Sequence, residues 1–227
     1  MIIALEGVDA CGKATQSQLL AKRLDAKLFS FPAYTELYGP EILGHLKRQW
    51  STVGPEAYTE RRKLDAMVFQ AMQLANKMYV AAEFSQHRNI VLDRYWPSAC
   101  VYAVEDGFSD VKALVRLHAC LPQPDVFILV DVEPDVALAR LAVRAREKDR
   151  YEQLPSEAVA KRIEKYRELW AGLPWTSRRY TVDGNRSVEE VHEDVVRVVK
   201  TFHKRMTNEE DFRLQSGSGE GAGEEAL

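Results

Sequence analysis

The stretch Ile2-Ile3-Ala4-Leu5-Glu6-Gly7-Val8-Asp9-Ala10-Cys11-Gly12-Lys13 decides the fold of this chain. Its apolar start reads as a buried strand, and Thr15 to Leu24 reads as a helix. Strand, glycine loop, helix is the context of a phosphate-binding P-loop. A loop closed by glycines turns its backbone N–H groups inward around an anion, and the following helix adds its positive end. Gly7, Ala10, Cys11, Gly12, Lys13, Ala14 and Thr15 would line nucleotide phosphates, with Lys13 reaching the terminal ones as a point charge. The competing reading is an ordinary glycine turn. One departure stands out. The pattern normally ends in Lys-Ser or Lys-Thr, whose hydroxyl holds Mg²⁺; here position 14 is Ala, and the hydroxyl comes one residue later, on Thr15.

Working outward, short apolar runs at 1–6, 27–31, 89–93, 125–131 and 179–183 read as buried parallel strands. Helical patterns separate them, so the order is βαβα and the fold is α/β with a mainly parallel five-stranded sheet. A long helix is expected over about 56–87, with Leu64, Met67, Val68, Ala71, Leu74, Ala75 and Met78 near helical spacing. Ser109-Asp110 opens a helix to about Ala119, and Glu133-Pro134 opens one to about Leu141. Further helices are expected over about 156–171 and 187–206, the last opened by Ser187 and Glu190 at capping-box spacing. One domain over 1–206 is expected, with a charged segment at about 142–154 and an acidic, Gly/Ser/Glu-rich, disordered tail over 207–227.

A chain of 227 residues suits a single α/β core. The net charge of −3 gives no overall pull toward nucleic acid or an anionic membrane. No run approaches the length of a membrane span, and no signal peptide opens the chain. Cys11, Cys100 and Cys120 have no disulfide or metal-ligand spacing, which suits a reducing, intracellular setting. Cys11 reads as a small packing residue or as a reactive thiol near a helix end. The five histidines read as bland.

Two further constellations carry chemistry. Val91-Leu92-Asp93-Arg94-Tyr95 ends the third strand, and open parallel sheets bind ligands at strand carboxyl ends. Asp93 can hold Mg²⁺ directly or through water, and Arg94 can clamp a phosphate with two N–H bonds. The plain alternative is a capping Asp paired to its neighbour. Arg144, Arg146, Lys148 and Arg150 sit where phosphoryl-transfer enzymes place a closing lid, although most charge runs are simply solvated. Phe69, Gln70, Gln73 and Asn76 share a helix at helical spacing; an aromatic beside amides can stack on a base, while Phe69 alone reads as core.

Leu5 to Lys13, Phe31-Pro32, Asp93-Arg94-Tyr95, Asp149-Arg150-Tyr151-Glu152 and Val182-Asp183-Gly184 together resemble the thymidylate kinase family over about residues 1–200. That resemblance implies a three-layer P-loop kinase fold, a homodimer and the reaction ATP + dTMP → ADP + dTDP with Mg²⁺. It implies that Lys13 and the loop hold the donor phosphates and that Arg94 grips the dTMP phosphate. Asp9 would face the acceptor near the deoxyribose hydroxyl or its ion, and Asp93, with Asp9 through water, would serve Mg²⁺. Phe69 would stack on thymine, Gln73 would take the place of an edge-reading Arg, and Ser98 and Tyr102 would line the acceptor, Tyr102 disfavouring a ribose 2′-hydroxyl. Arg144 and Arg146 would supply lid charge as in the bacterial-type arrangement, with Arg150. Tyr34 stands where the family usually has an Arg on the acceptor phosphate.

The expectation is therefore a cytoplasmic dTMP kinase supplying dTTP for DNA synthesis, with a nuclear pool left open as the alternative and no nucleic-acid or membrane partner. A related kinase of broader acceptor use, such as dUMP or a deoxynucleoside, is the first rival. A silent nucleotide-binding module, suggested by Ala14, is the second. The acidic tail fits a solubilising or partner-binding role equally.

Overall fold

The computed structural model describes residues 1–33, 40, 58–105, 107–143, 156–172 and 178–217; of these, the side chains of 58–66, 69 and 205–217 lie outside the description. Five strands form one sheet: β1 (Ile2–Glu6), β2 (Lys27–Ser30), β3 (Ile90–Asp93), β4 (Val126–Asp131) and β5 (Arg179–Asp183). Their spatial order is β2-β3-β1-β4-β5, every pairing parallel. The helices among the described residues are α1 (Lys13–Leu24), α2 (Tyr58–Ala81), α3 (Trp96–Glu105), α4 (Val111–Leu117), α5 (Pro134–Ala142), α6 (Ser156–Gly172) and α7 (Val188–Gly217).

The central strands are apolar on both faces because helices cover both. Ile3, Ala4 and Leu5 of β1, Val91 and Leu92 of β3, and Val126 and Ile128 of β4 are fully buried. Helix α1 packs on α7, while α3 packs on α2, α4 and α6, and α5 on α6, which makes the three-layer P-loop kinase fold. Helix starts follow their sequence signals. Asp110 Oδ1 accepts the Ala113 N–H at 2.9 Å. Ser187 and Glu190 close a reciprocal capping box, Glu190 N–H to Ser187 Oγ at 3.3 Å and Ser187 N–H to Glu190 Oε2 at 3.1 Å. The final helix continues past the boundary expected at 206 and ends at Gly217. No Gly or Pro interrupts 206–215, and Glu209 precedes Arg213 by four residues, so the sequence carries a local helical preference that composition alone conceals. The last ten residues of the expected tail, 218–227, lie outside the described residues.

This topology fixes the site. β1 lies between β3 and β4, and the chain leaves the two neighbours in opposite senses, which opens a crevice at their carboxyl ends. Leu5 is level with Asp93 on one side and Ile128 on the other. The loop after β1 and the turn after β3 therefore open into the same crevice. Their backbones are tied there, Arg94 N–H donating to Leu5 O at 2.9 Å.

Candidate active site

The glycine loop is held by backbone geometry. Gly7 has φ +142° and Gly12 has φ +99°, both in territory that favours glycine. A Cβ on Gly7 would stand 2.7 Å from Cys11 Sγ and 2.7 Å from Val130 O, so the loop presses directly on β4. Ala10 also has positive φ, +63°. No side chain caps α1 at Gly12, so its first-turn N–H groups remain available to an anion. They face a cleft of about 240 Å³ lined by Ala10, Gly12, Lys13, Thr15, Arg140 and Arg186, among others. Lys13 is buried, with Nζ donating to Val8 O at 3.0 Å. The Cys11 thiol is buried, and burial pushes its pKa up; it packs under the loop, which corrects its reading as a reactive thiol.

Arg140 and Arg186 were not singled out from sequence. Arg140, in the last turn of α5, donates to Cys11 O at 3.3 Å and to Arg186 O at 3.3 Å. Arg186 follows Gly184, where a Cβ would come within 2.7 Å of Val130 and 2.9 Å of Asp131 O. Only glycine lets the β5–α7 turn approach β4 closely enough to bring that arginine to the cleft.

Across the loop lies a second group, built from buried side chains. Asp9 takes Arg94 Nη2 on Oδ1, the Tyr102 hydroxyl on Oδ2 at 2.7 Å and Arg162 Nη1 on Oδ2 at 3.4 Å. Burial opposes ionisation of Asp9, but Arg94, Lys13, the Tyr102 hydroxyl and Arg162 outweigh it and hold the carboxyl well below the usual range. Arg94 sits at φ +66°, strained for a non-glycine residue, as functional-site residues often are. Its Nη1 donates to Gly7 O at 3.1 Å, Tyr166 Oη at 3.0 Å and Ser98 Oγ at 3.2 Å. Arg162 makes a two-bond fork to Glu105, both bonds at 2.7 Å. The guanidinium carbons of Arg94 and Arg162 lie 5.3 and 5.0 Å from the Tyr102 ring centre.

Glu6 braces this cluster from beneath. It is fully buried, accepting the Tyr95 N–H at 2.7 Å on one oxygen and the Ser98 hydroxyl at 2.5 Å on the other. Burial pushes its pKa up to about 7, against the pull of the Ser98 bond and Arg94.

Helix α2 turns much of its apolar spacing outward. Met67, Val68, Ala71, Ala75 and Met78 are exposed, as is Tyr79, while Gln70, Gln73, Asn76 and Lys77 are buried. The apolar spacing was legible, and it divides: the exposed residues of that spacing face outward, while Leu74 and, beyond the spacing, Val80 pack on the core. The inward polar groups find partners there: Asn76 Nδ2 donates to Ala33 O at 2.7 Å, and Lys77 lies over the Phe31 ring.

The structure thus brings Asp9, Lys13, Arg94, Ser98 and Tyr102 into one crevice, with Asp93 at the adjoining end of β3, while Gln73 is buried on the inner face of α2 beside Lys77. It adds Arg162 and Tyr166, which were missed. Tyr34, Arg144, Arg146 and Arg150 lie outside the described residues, as does the side chain of Phe69. Among the described residues, no group of three or more His, Cys, Asp or Glu could enclose a metal. Mg²⁺ needs no such cage, since it is held by one or two carboxylates with phosphates and water. Asp93 fits: its Oδ1 is buried without a hydrogen-bond partner at the carboxyl end of β3. Both Asp9 oxygens are already occupied by cations and a hydroxyl.

Comparisons with known proteins agree with the fold. The family described as thymidylate kinase matches residues 5–195. The thymidylate kinase of Schizosaccharomyces pombe is 28% identical over 214 residues, covering 91% of this chain and 94% of that one. That of Symbiobacterium thermophilum is 30% identical over 207 residues, covering 88% and 92%. The solved structure of the Candida albicans thymidylate kinase aligns at a TM-score of 0.68 and 21% identity, covering 88% of this chain and 91% of that one, a likeness of fold.

Proposed function

The chain belongs to the thymidylate kinase family, and from that premise we propose that it transfers the γ-phosphoryl group of ATP to dTMP, giving ADP and dTDP. The observation that carries the reading is the pairing of two phosphate sites across one loop. On the donor side stand the uncapped α1 N-terminus, Lys13, Arg140 and Arg186. On the acceptor side stand Arg94, Arg162, Asp9 and Tyr102. Lys13 and Arg94 each bond a loop carbonyl, Val8 O and Gly7 O. A cation on each side of Asp9 is what a phosphoryl group needs when it passes from one nucleotide to the other.

The chemistry asks for positioning and charge stabilisation more than for proton transfer. The attacking oxygen of a monophosphate is already ionised near neutral pH, so no strong general base is required. Arg94 grips the acceptor phosphate, its guanidinium fixed by Gly7 O, Ser98 and Tyr166. Asp9 holds Arg94, Arg162 and Tyr102 in mutual register and balances their charge. Tyr102 stands against the sugar, where its ring leaves no room for a 2′-hydroxyl. Phe69 stacks on the base and Gln73 reads its edge, with Tyr34 beside the acceptor phosphate. Mg²⁺ would be held by Asp93, whose Oδ1 has no hydrogen-bond partner, since both Asp9 oxygens are in use; bound there, it would neutralise charge on the transferring phosphoryl group. Arg144, Arg146 and Arg150 complete the charge shell from the segment between α5 and α6.

The exposed apolar stripe of α2, with Met67 54%, Met78 51% and Tyr79 49% exposed, supports a homodimer formed through this face. Met67→Glu with Met78→Glu should shift the sedimenting species from dimer to monomer; an unchanged mass would remove α2 from the interface. We place the reaction in the cytoplasm, where Cys11, Cys100 and Cys120 stay reduced.

The test is ADP release with ATP-Mg²⁺ and a panel of dTMP, dUMP, ribose TMP and thymidine. The expected result is fast turnover with dTMP, little with the ribose form and none with thymidine, which lacks the phosphate that Arg94 grips. ADP release as fast with thymidine as with dTMP would contradict the acceptor assignment. ATP binding without ADP release from any acceptor would mark a silent site.

A further inference from the structure

Lys77 is a charged side chain that the phosphoryl-transfer geometry does not use. It is 1% exposed, on the inner face of α2, and burial pushes its pKa down to about 8. Its ammonium lies 5.6 Å from the Phe31 ring centre and donates to Gln73 Oε1 at 3.3 Å. Glu6, the carboxylate beneath Ser98 and Arg94, helps to keep it charged. A buried lysine against an aromatic ring and one amide is costly unless it serves a neighbour.

That neighbour is Gln73. An ammonium carries only donors. The amide oxygen of Gln73 must therefore face Lys77, and the amide nitrogen must face away. No described residue accepts a hydrogen bond from that nitrogen. Gln73 is itself buried, so the amide is held in one of its two orientations.

We propose that Lys77 is the specificity-positioning residue of the acceptor base pocket: by holding Gln73 Oε1, it makes Gln73 a hydrogen-bond donor toward the base and selects 4-keto over 4-amino pyrimidines. The inference rests on the reading of Gln73 as the base-edge residue. Thymine and uracil present an acceptor oxygen at position 4, whereas cytosine presents an amino donor there. A fixed Nε2 satisfies the first two and opposes the third. Without Lys77 the amide can rotate and offer its oxygen to cytosine. The 5-methyl group plays no part in this choice, so thymine and uracil should respond alike.

The experiment is equilibrium titration of dTMP, dUMP and dCMP, which share phosphate and sugar, against wild type, Lys77→Met, Lys77→Gln, Lys77→Arg and Gln73→Leu. Lys77→Met should lower the dTMP:dCMP affinity ratio by about tenfold, the scale of one charged hydrogen bond, and Lys77→Gln, whose amide can either donate to Gln73 or accept from it, should lower it by a smaller factor. Both should leave the dTMP:dUMP ratio near its wild-type value, and Lys77→Arg, which keeps the donors, should retain both ratios. Should Lys77→Met not fold, the polar Lys77→Gln carries the test. A uniform loss of affinity for all three nucleotides would show a merely structural lysine and overturn the proposal. If Gln73→Leu lowers the dTMP:dCMP ratio and the Lys77 variants do not, the proposal falls while the base-pocket reading stands. If Gln73→Leu also leaves the ratio unchanged, Gln73 does not read the base and both fall.

Discussion

At the donor end of the crevice the protein offers backbone N–H groups; at the acceptor end it offers buried side chains that hold one another. The donor end depends on conformation. Gly7 and Gly12 reach φ values that other residues avoid, and Gly7 and Gly184 leave no space for a Cβ. The acceptor end depends on charge balance. Asp9, Arg94 and Arg162 come from three separate parts of the chain, and each is tolerable in the interior because the others are there. The contrast teaches where each end is fragile. A small backbone change breaks the first, and removal of any one charge disturbs the whole of the second.

The comparison can be broken or sharpened by substitution. Lys13→Met should have the largest effect, lowering kcat on the order of 10³-fold, because the cation on the transferring phosphoryl group is lost. Steady-state ADP release checks it, and near-normal turnover would dissolve the distinction between the two ends. Arg162→Leu should act differently. It strips Glu105 of its two-bond partner and Asp9 of one cation, and should cost on the order of 3 kcal/mol of stability in urea denaturation as well as weaken dTMP binding. A variant as stable as wild type would mean that the cluster does not act as a unit. Gly184→Ala should be smaller again, slowing turnover through ATP use while dTMP affinity is kept, because the turn carrying Arg186 is displaced from β4. A change confined to dTMP would put that turn at the wrong end.

The smallest expected effect is a pH dependence. The folded-state pKa of Glu6 is raised, from an unfolded value near 4.5 to about 7. Its contribution to stability is fully present below the unfolded value and is lost as pH rises through about 7. Glu6→Gln keeps the hydrogen-bonding shape without the charge, so it should flatten the fall in stability between pH 4.5 and 7, on the order of 2 kcal/mol across that window. Parallel stability–pH curves for variant and wild type would show that Glu6 does not titrate in this range.

How legible each end was follows from the same contrast. The donor loop is contiguous, so its glycines, Lys13 and flanking apolar strand stand side by side in the sequence. The five strands were readable because parallel strands buried on both faces are unbroken apolar runs. The acceptor cluster is assembled from distant segments. Asp93-Arg94 at a strand end gave half of it, but Arg162 and Tyr166 sit within Lys161-Arg162-Ile163-Glu164-Lys165-Tyr166-Arg167, which looks like a solvated face. A signal was present: Arg162, Tyr166 and Trp170 fall four residues apart, which places an arginine on a buried helical stripe. In α2 the apolar period was legible and its direction was not, because periodicity shows that a helix has two faces but not which faces the core. Arg140 and Arg186 depend on the closeness of a turn to β4, a feature that only the assembled sheet reveals.

The most direct test of the two-ended crevice is equilibrium titration of ATP and of dTMP, each alone, against wild type and Arg94→Ala. The account predicts dTMP affinity reduced by about 10²-fold, the loss of a charge-assisted fork to phosphate, with ATP affinity near that of wild type. Equal losses for both nucleotides, or a loss for ATP alone, would contradict it.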